Sequence, residues 1–413
     1  MKRIFTSAGA LGVGILGLCN ADAQEAKPWS LKAKLRGFYD DNYATVNSAN
    51  PNKDDSFGID VNPIGTYESA VGPTQYQIEY DYRLRFFEGR SENKTDNQHK
   101  ITLGLANQFS DTWKLSLRDS FAYAQEPGVG DQIVATIVKV QGSYIRNNLR
   151  LGLDGQLSDT FGASFGYQND LMDNQLDGLG SRSALLDTVR HTFRLEGNML
   201  VSDETTALVG YNVGLLEYTS DDPLAITTRT ILPEERDRVF HRFYVGAQHA
   251  FTDVLSARAN VGLEYSSYHN AVIGDDTLLN PWVSAKVQYA FTEGGVAEFG
   301  VKHERASTDV STTAGSGLLT LDMETTAVFG SAQASLFGPL SGQLIFQFQN
   351  NGFAGGVNDG RVDQMWTSGL TFAYEIAEGL SAETGYSLDR LDSDLNNRHF
   401  TRHRGFIGLN YSY

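Results

Sequence analysis

The strict alternation of apolar and polar residues constrains this chain most. From Tyr76 to Phe87, the side chains of Tyr76, Ile78, Tyr80, Tyr82, Leu84 and Phe86 alternate with Gln77, Glu79, Asp81, Arg83 and Arg85. Successive side chains of a strand point to opposite faces, so one face is apolar and the other charged. The same period of two runs from Leu255 to Tyr265, where Leu255, Ala257, Ala259, Val261, Leu263 and Tyr265 oppose Ser256, Arg258, Asn260, Gly262 and Glu264. A soluble sandwich alternates too, so the placement of the turns has to decide the architecture.

Short turns fall at Ser110-Asp111-Thr112, Ser158-Asp159-Thr160, Ser202-Asp203-Glu204, Thr252-Asp253, Thr292 to Gly295, Gly338-Pro339 and Ala377-Glu378-Gly379. They lie about 40 to 50 residues apart, the length of one hairpin plus one long loop. Longer polar stretches separate them: Leu171 to Ser183, Ser220 to Asp237, Ser307 to Thr320 and Asn350 to Asp363. Short connections on one side and long ones on the other predict an all-β, transmembrane, antiparallel up-and-down β-barrel with short periplasmic turns and long extracellular loops. With a further turn at Ser69 to Pro73, and counting from Leu31 to a last strand over Thr401 to Tyr413, the number is eighteen, with both ends on the short-turn side. Sixteen stays open, because Ile133 to Gln156 is too long for one membrane strand of roughly 9 to 11 residues. Its apolar part, Ile133 to Val140, either extends a strand above the membrane or folds inward and narrows the pore.

The first residues suit a secreted barrel. Lys2 and Arg3 precede an apolar run from Ala8 to Leu18 and the small-residue site Ala21-Asp22-Ala23, so cleavage is expected after Ala23, leaving one domain over 24–413 and a signal peptide over 1–23. Cys19, the one cysteine, falls inside that signal, and Leu18 before it is not the small residue that lipidation requires. The mature chain then has neither disulfides nor thiolate metal sites. Removing Lys2, Arg3 and Asp22 from 33 basic and 50 acidic residues leaves 31 and 49, a net charge of −18 that argues against a nucleic-acid partner. The negative mean hydropathy is compatible with a membrane barrel, in which only alternate residues face lipid.

Aromatic residues are expected at the two membrane interfaces: Phe109, Trp113, Phe161, Phe251 and Phe291 beside the short turns, and Tyr123, Tyr167, Tyr218 and Trp282 near the long loops. The chain ends Gly408-Leu409-Asn410-Tyr411-Ser412-Tyr413. Gly408, Tyr411 and Tyr413 resemble the C-terminal signal read by the outer-membrane assembly machinery, with a departure at Phe406, where that pattern has a polar residue. Leu35 to Asn42, with Tyr39-Asp40-Asp41-Asn42 at its end, resembles the opening of the type 2 family of β-barrel porins, whose strand order is similar over nearly all of the mature chain. The resemblance implies a porin and leaves the solute open.

If the apolar residues face lipid, their neighbours line the lumen. The expected basic lining is Lys32, Lys34, Arg36, Arg83, Arg85, Arg118, Arg242, Arg258, Arg402 and Arg404; the expected acidic lining is Glu79, Asp81, Glu264, Glu298, Glu304 and Glu383. Those near the seam would make a basic wall, with later carboxylates opposite and a field across the channel. No histidine sits in a nucleophile motif, so no catalytic residue is assigned. His399 and His403 are too far apart on a strand for a shared metal. The groups Asp170, Asp173, Asn174, Asp177 and Asp389, Asp392, Asp394 lack calcium-loop spacing and read as solvated loops. No metal or cofactor is expected. The partners expected are outer-membrane lipid and lipopolysaccharide, the assembly machinery and small polar solutes; no sequence feature separates a subunit interface from the lipid face. Passive diffusion of small polar solutes or ions is the leading expectation, beside an export or assembly component for polysaccharide and a structural or adhesive barrel.

Overall fold

The computed structural model describes residues 27–47, 54–125, 142–227, 229–272, 277–291, 295–311 and 319–413. The expected cleavage site and the 133–140 segment lie outside these residues. The first half of the wall is β1 (Trp29–Asp40), β2 (Ser56–Val71), β3 (Thr74–Phe87), β4 (Thr95–Gln108), β5 (Trp113–Ala124), β6 (Tyr144–Gln156), β7 (Phe161–Asn174), β8 (Thr188–Ser202) and β9 (Thr205–Tyr218). A two-residue hairpin, β10 (Ala225–Ile226) with β11 (Thr230–Ile231), lies in the loop that follows. The second half is β12 (Arg238–Ala250), β13 (Leu255–Ser267), β14 (Thr277–Ala290), β15 (Val296–Ala306), β16 (Asp322–Phe337), β17 (Leu340–Ala354), β18 (Val362–Ala377), β19 (Leu380–Ser393) and β20 (Phe400–Ser412). A short helix, α1 (Arg182–Leu186), lies between β7 and β8.

Each barrel strand pairs antiparallel with its neighbours in the chain, β9 pairs with β12, and β1 pairs with β20, which closes an 18-stranded sheet. Closure removes the edges that would leave backbone amides unpaired in lipid. The alternation sets the faces as the sequence predicts: Ile78, Tyr80 and Phe86 of β3, and Val261, Leu263 and Tyr265 of β13, are exposed on the outside, whereas Asn260 and Glu264 are buried inside. The expected count of eighteen is met, with β6 beginning at Tyr144.

The turns at Gly72-Pro73 and Glu378-Gly379 are tighter than the sequence suggests, and Gly338-Pro339 is as expected. Gly72-Pro73, Gly338-Pro339 and Glu378-Gly379 join their strands directly, and the turn expected over Ser69 to Pro73 shrinks because β2 continues to Val71. Gly72, Gly338 and Gly379 have φ of 57°, 54° and 73°, which a side chain with Cβ adopts at a cost. Register shifts at Ser335/Phe337 and Glu375/Ala377 lie beside the last two turns, where the extra residue bends the strand into the hairpin.

The seam is stitched by the two terminal patterns. Gly408 of β20 faces Arg36 on β1 and Glu383 on β19, and the ion pair between them passes over it, with Nε to Oε1 at 2.6 Å and Nη2 to Oε2 at 3.0 Å. A Cβ on Gly408 would stand 2.4 Å from the Leu35 carbonyl oxygen and 2.7 Å from Arg36 Cγ. Phe406, where the terminal pattern departs from the usual polar residue, lies under the Arg36 guanidinium at 4.2 Å. At the other end of the seam Asp40 takes an ion pair from Arg402, Asp41 Oδ1 accepts the His403 amide at 2.6 Å, and Asn42 Nδ2 donates to the Thr401 carbonyl at 3.1 Å.

Candidate functional site: the lumen and its mouth

Inside the barrel the wall is polar, and most of its charges are paired between adjacent strands. Arg83 forms an ion pair with Asp60, which Arg85 approaches at 3.6 Å. Arg404 bonds Asp389 at 2.6 Å, and Asn62 Nδ2 donates to Asp81 Oδ1 at 2.6 Å. Arg242 reaches Glu264 at 2.5 Å and Glu304 at 3.6 Å, and Lys286 reaches Glu298 at 3.1 Å. Glu196 gathers Arg258 and the Tyr244 hydroxyl, each at 2.7 Å, and Arg194 at 3.1 Å. Within the basic stripe at the seam, Arg402, Arg83, Arg36 and Arg404 are matched by Asp40, Asp60, Glu383 and Asp389. Three of these pairs join adjacent strands, and Arg36–Glu383 reaches across β20. Lys32 and Lys34 share the lumen-facing parity of Arg36, and Glu79 that of Asp81.

Cations are concentrated over β5 to β8. Arg118 and Arg150 stand directly opposite one another in register, Arg146 lies four residues along β6 on the same face, and Arg190 of β8 bonds Asp170 Oδ2 at 2.9 Å. Asp170, grouped with solvated loops in the sequence, is a wall residue of β7 that also accepts Gln168 Nε2 at 2.8 Å. Asp389 is likewise on a strand rather than in a loop. Like charges in direct register weaken a sheet, so the Arg118/Arg150 pair is not accounted for by fold stability.

The long loops meet in the mouth. Arg236, fully buried, donates from Nε to the Thr320 carbonyl at 3.1 Å, from Nη1 to Leu185 at 3.1 Å, and from Nη2 to Thr308 at 2.9 Å and Val310 at 2.7 Å. One guanidinium thus binds α1 and the β15–β16 loop to the β9–β12 loop. Beside it Ala184, Leu224, Ile231, Tyr268, Leu319 and Leu321 form an apolar cluster drawn from four loops. Asp309 holds Arg182 at 3.2 Å and pairs with Arg398, which also reaches Asp363 at 2.8 Å. Contacts from the β7–β8 loop to the β15–β16 loop span a third of the circumference, a chord that only loops lying across the mouth can make. Buried charge is costly unless paired. Burial opposes ionisation of Asp309, yet Arg398 and Arg182 outweigh it and hold its carboxyl below the ordinary carboxylate range. Asp187, which caps the end of α1, is pushed up by burial despite bonds from Ser183 and Asn174.

Two expected girdle residues are corrected. Tyr218 and Trp282 are 6% and 5% exposed and point inward: Trp282 packs on Tyr244 at 5.1 Å and under Arg242 at 4.7 Å, and Tyr218 lies beneath Arg236 at 5.1 Å. Their parity, opposite to Val283 and Glu217, carries this in the sequence; aromatic character alone misplaced them. Phe109, Phe161 and Phe251 are exposed beside the short turns as expected. Arg236, Asp309 and Arg398 have no sequence signal beyond being charges in polar loops.

No family model matches the chain, and no curated protein matches it. Among solved structures it is similar to OccAB4 of Acinetobacter baumannii, with 11% identity, a TM-score of 0.46 and coverage of 94% of this chain and 99% of that one. It is also similar to the outer membrane protein OpdK of Pseudomonas aeruginosa, with 11% identity, a TM-score of 0.45 and coverage of 93% and 99%. A third is OccK2 (OpdF) of Pseudomonas aeruginosa, solved in complex with glucuronate, with 11% identity, a TM-score of 0.44 and coverage of 93% and 98%. The closed sheet, apolar outer face and one-sided loops of this chain are those of an outer-membrane β-barrel.

Proposed function

We infer that the mature chain, 24–413 after removal of the signal peptide, is an outer-membrane channel for passive diffusion of small polar solutes, with a preference for anions. The observation that carries this reading is the water-facing arginine group Arg118, Arg146, Arg150 and Arg190, set in a barrel wide enough for an aqueous path and below a mouth narrowed by packed loops. A low-dielectric wall with clustered cations raises the local concentration of anions and disfavours cations and apolar molecules. The type 2 porin resemblance at Leu35 to Asn42 is in keeping with a porin. The narrowed mouth favours a selective channel over a wide general pore.

Purified protein in planar bilayers under a salt gradient is expected to give steady conductance with an anion-selective reversal potential. Arg118→Gln with Arg150→Gln should shift that potential toward cations, on the order of tenfold in permeability ratio if the pair contributes about 1.4 kcal/mol. An unchanged potential overturns the anion preference. A barrel that stays silent without partners overturns the channel reading in favour of an export component.

A further inference from the structure

The outer face carries polar groups that the lumen does not use. Six of the chain's eight histidines have outward parity, and five of them, His99 on β4, His191 on β8, His241 on β12, His303 on β15 and His403 on β20, lie toward the long loops, whereas His249 stands at the short-turn end of β12. Followed through the pairing, the register falls toward the short turns by four residues from His99 to His191 over four strands, and by two from His191 to His241 over two strands. Strands tilted at about 35–45° need a shift of roughly one residue per strand to stay at one height. His99, His191 and His241 therefore lie at one level, three to four residues inside the long-loop ends of β4, β8 and β12. The next outward positions toward the short turns are the exposed apolar residues Ile101, Phe193 and Phe243, so this level borders the apolar band of the outer face.

Each ring is held in the same way. Nδ1 meets a hydroxyl across the strand pair: Tyr80 for His99 at 2.9 Å, Tyr167 for His191 at 2.9 Å, Tyr211 for His241 at 2.7 Å, Thr326 for His303 at 2.8 Å and Tyr386 for His403 at 2.6 Å. When the hydroxyl donates to Nδ1, Nε2 keeps the proton and becomes a donor. For His303, Glu324 Oε1 stands 2.7 Å from Nε2.

Directly below two of these rings lies an apolar groove of about 430 Å³ on the outer wall of β5 to β9. Its floor is two rows of the register. One runs Leu151, Tyr167, Phe193, Val213 and ends at His241; the other runs Leu153, Phe165, Leu195, Tyr211. The next row toward the long loops holds Asn169 and His191, with Asn169 Nδ2 at 3.3 Å from His191 Nδ1. Asp119 stands at the β5 end of that row, bonded by Asn147 at 2.8 Å, so an anionic group is directed to the β7–β12 side.

We propose that this groove and the His191 and His241 donors above it form a binding site for one phosphorylated, acylated lipid of the outer leaflet, an acyl chain lying along the groove and two headgroup phosphates accepting from Nε2 of His191 and of His241, one each. The two rings are two strands and two residues apart, about 12 Å, a span suited to a disaccharide headgroup with a phosphate at each end rather than a single small anion. An apolar channel capped by convergent donors is the build of a ligand site, and the level of the histidines sets its depth. The proposal rests on the outer-membrane placement and not on conduction.

The test is titration of the purified protein in detergent with lipopolysaccharide and with the same lipopolysaccharide stripped of its phosphates. The native protein is expected to bind the phosphorylated form at least tenfold more tightly. His191→Phe with His241→Phe should remove that difference, Val213→Trp should weaken both forms by filling the groove, and His249→Phe at the short-turn end of β12 should change nothing. Equal affinity of the native protein for the two lipids overturns the proposal without recourse to any variant. Conductance of the same preparation is read separately: lipid discrimination in a silent barrel counts against the channel alone, and absent discrimination in a conducting barrel against the lipid site alone.

Discussion

Replacing Arg236 by Leu keeps most of the side-chain volume but removes the donor shared by the carbonyls of Leu185, Thr308, Val310 and Thr320. Hydrogen bonds from a charged donor contribute about 1.5–3 kcal/mol each, and water entering the mouth returns part of that, so the loops should loosen while the wall stays intact. The expected result is a larger, noisier single-channel conductance and faster proteolysis within 307–311 and 319–321, with an unchanged heat-modifiable band on gels; conductance identical to the native protein would show that Arg236 does not hold the mouth. At this scale the sequence is informative where parity governs and silent where loops meet. Arg242, Glu264 and Arg402 could be assigned to the lumen by counting along a strand. Arg236 could not, because its partners lie 51 to 84 residues away in the chain.

The loops of β7–β8, β15–β16 and β19–β20 act together through Asp309, and their response to acid follows from its charge. Its folded pKa is depressed, so the ion pairs contribute fully above the unfolded value of about 3.9 and are lost as pH falls through the lower folded value. Asp187 is opposite in sign: its carboxyl is raised by burial, so acidification through that raised value stabilises α1. The mouth should therefore stay ordered at pH 4 to 5 and open only below about pH 4. Hydrogen exchange of 307–311 and 394–399 across this range checks it, and Asp309→Asn should abolish the acid step; exchange that rises between pH 7 and 5 would contradict it. Among the strands, existence and order were legible from alternation and turn spacing, and the ends were displaced by a few residues. The strands carried on past the expected boundaries because cross-strand pairing continues wherever a partner amide is in register, as at Val71 opposite Thr74.

For the whole molecule the seam is the decisive step, since every other pairing is between neighbours in the chain. Gly408→Ala places a methyl group against the Leu35 carbonyl and Arg36, on the strand that closes the barrel. Such a change should cost several kcal/mol of closure and sharply lower the fraction of heat-modifiable, protease-resistant barrel in membranes, whereas Gly405→Ala, with nothing nearer than 4.0 Å, should be tolerated. Equal assembly of the two variants would remove Gly408 from the seam's requirements. The sequence by itself determined the closed antiparallel sheet, its two faces and the side on which the long loops lie, because a period of two and the position of turns are local properties that pairing only has to obey. Only the tertiary structure decided which charges neutralise one another, which loops cross the mouth and which outward histidines share a level, because each of these depends on strand tilt and on distances between residues far apart in the chain.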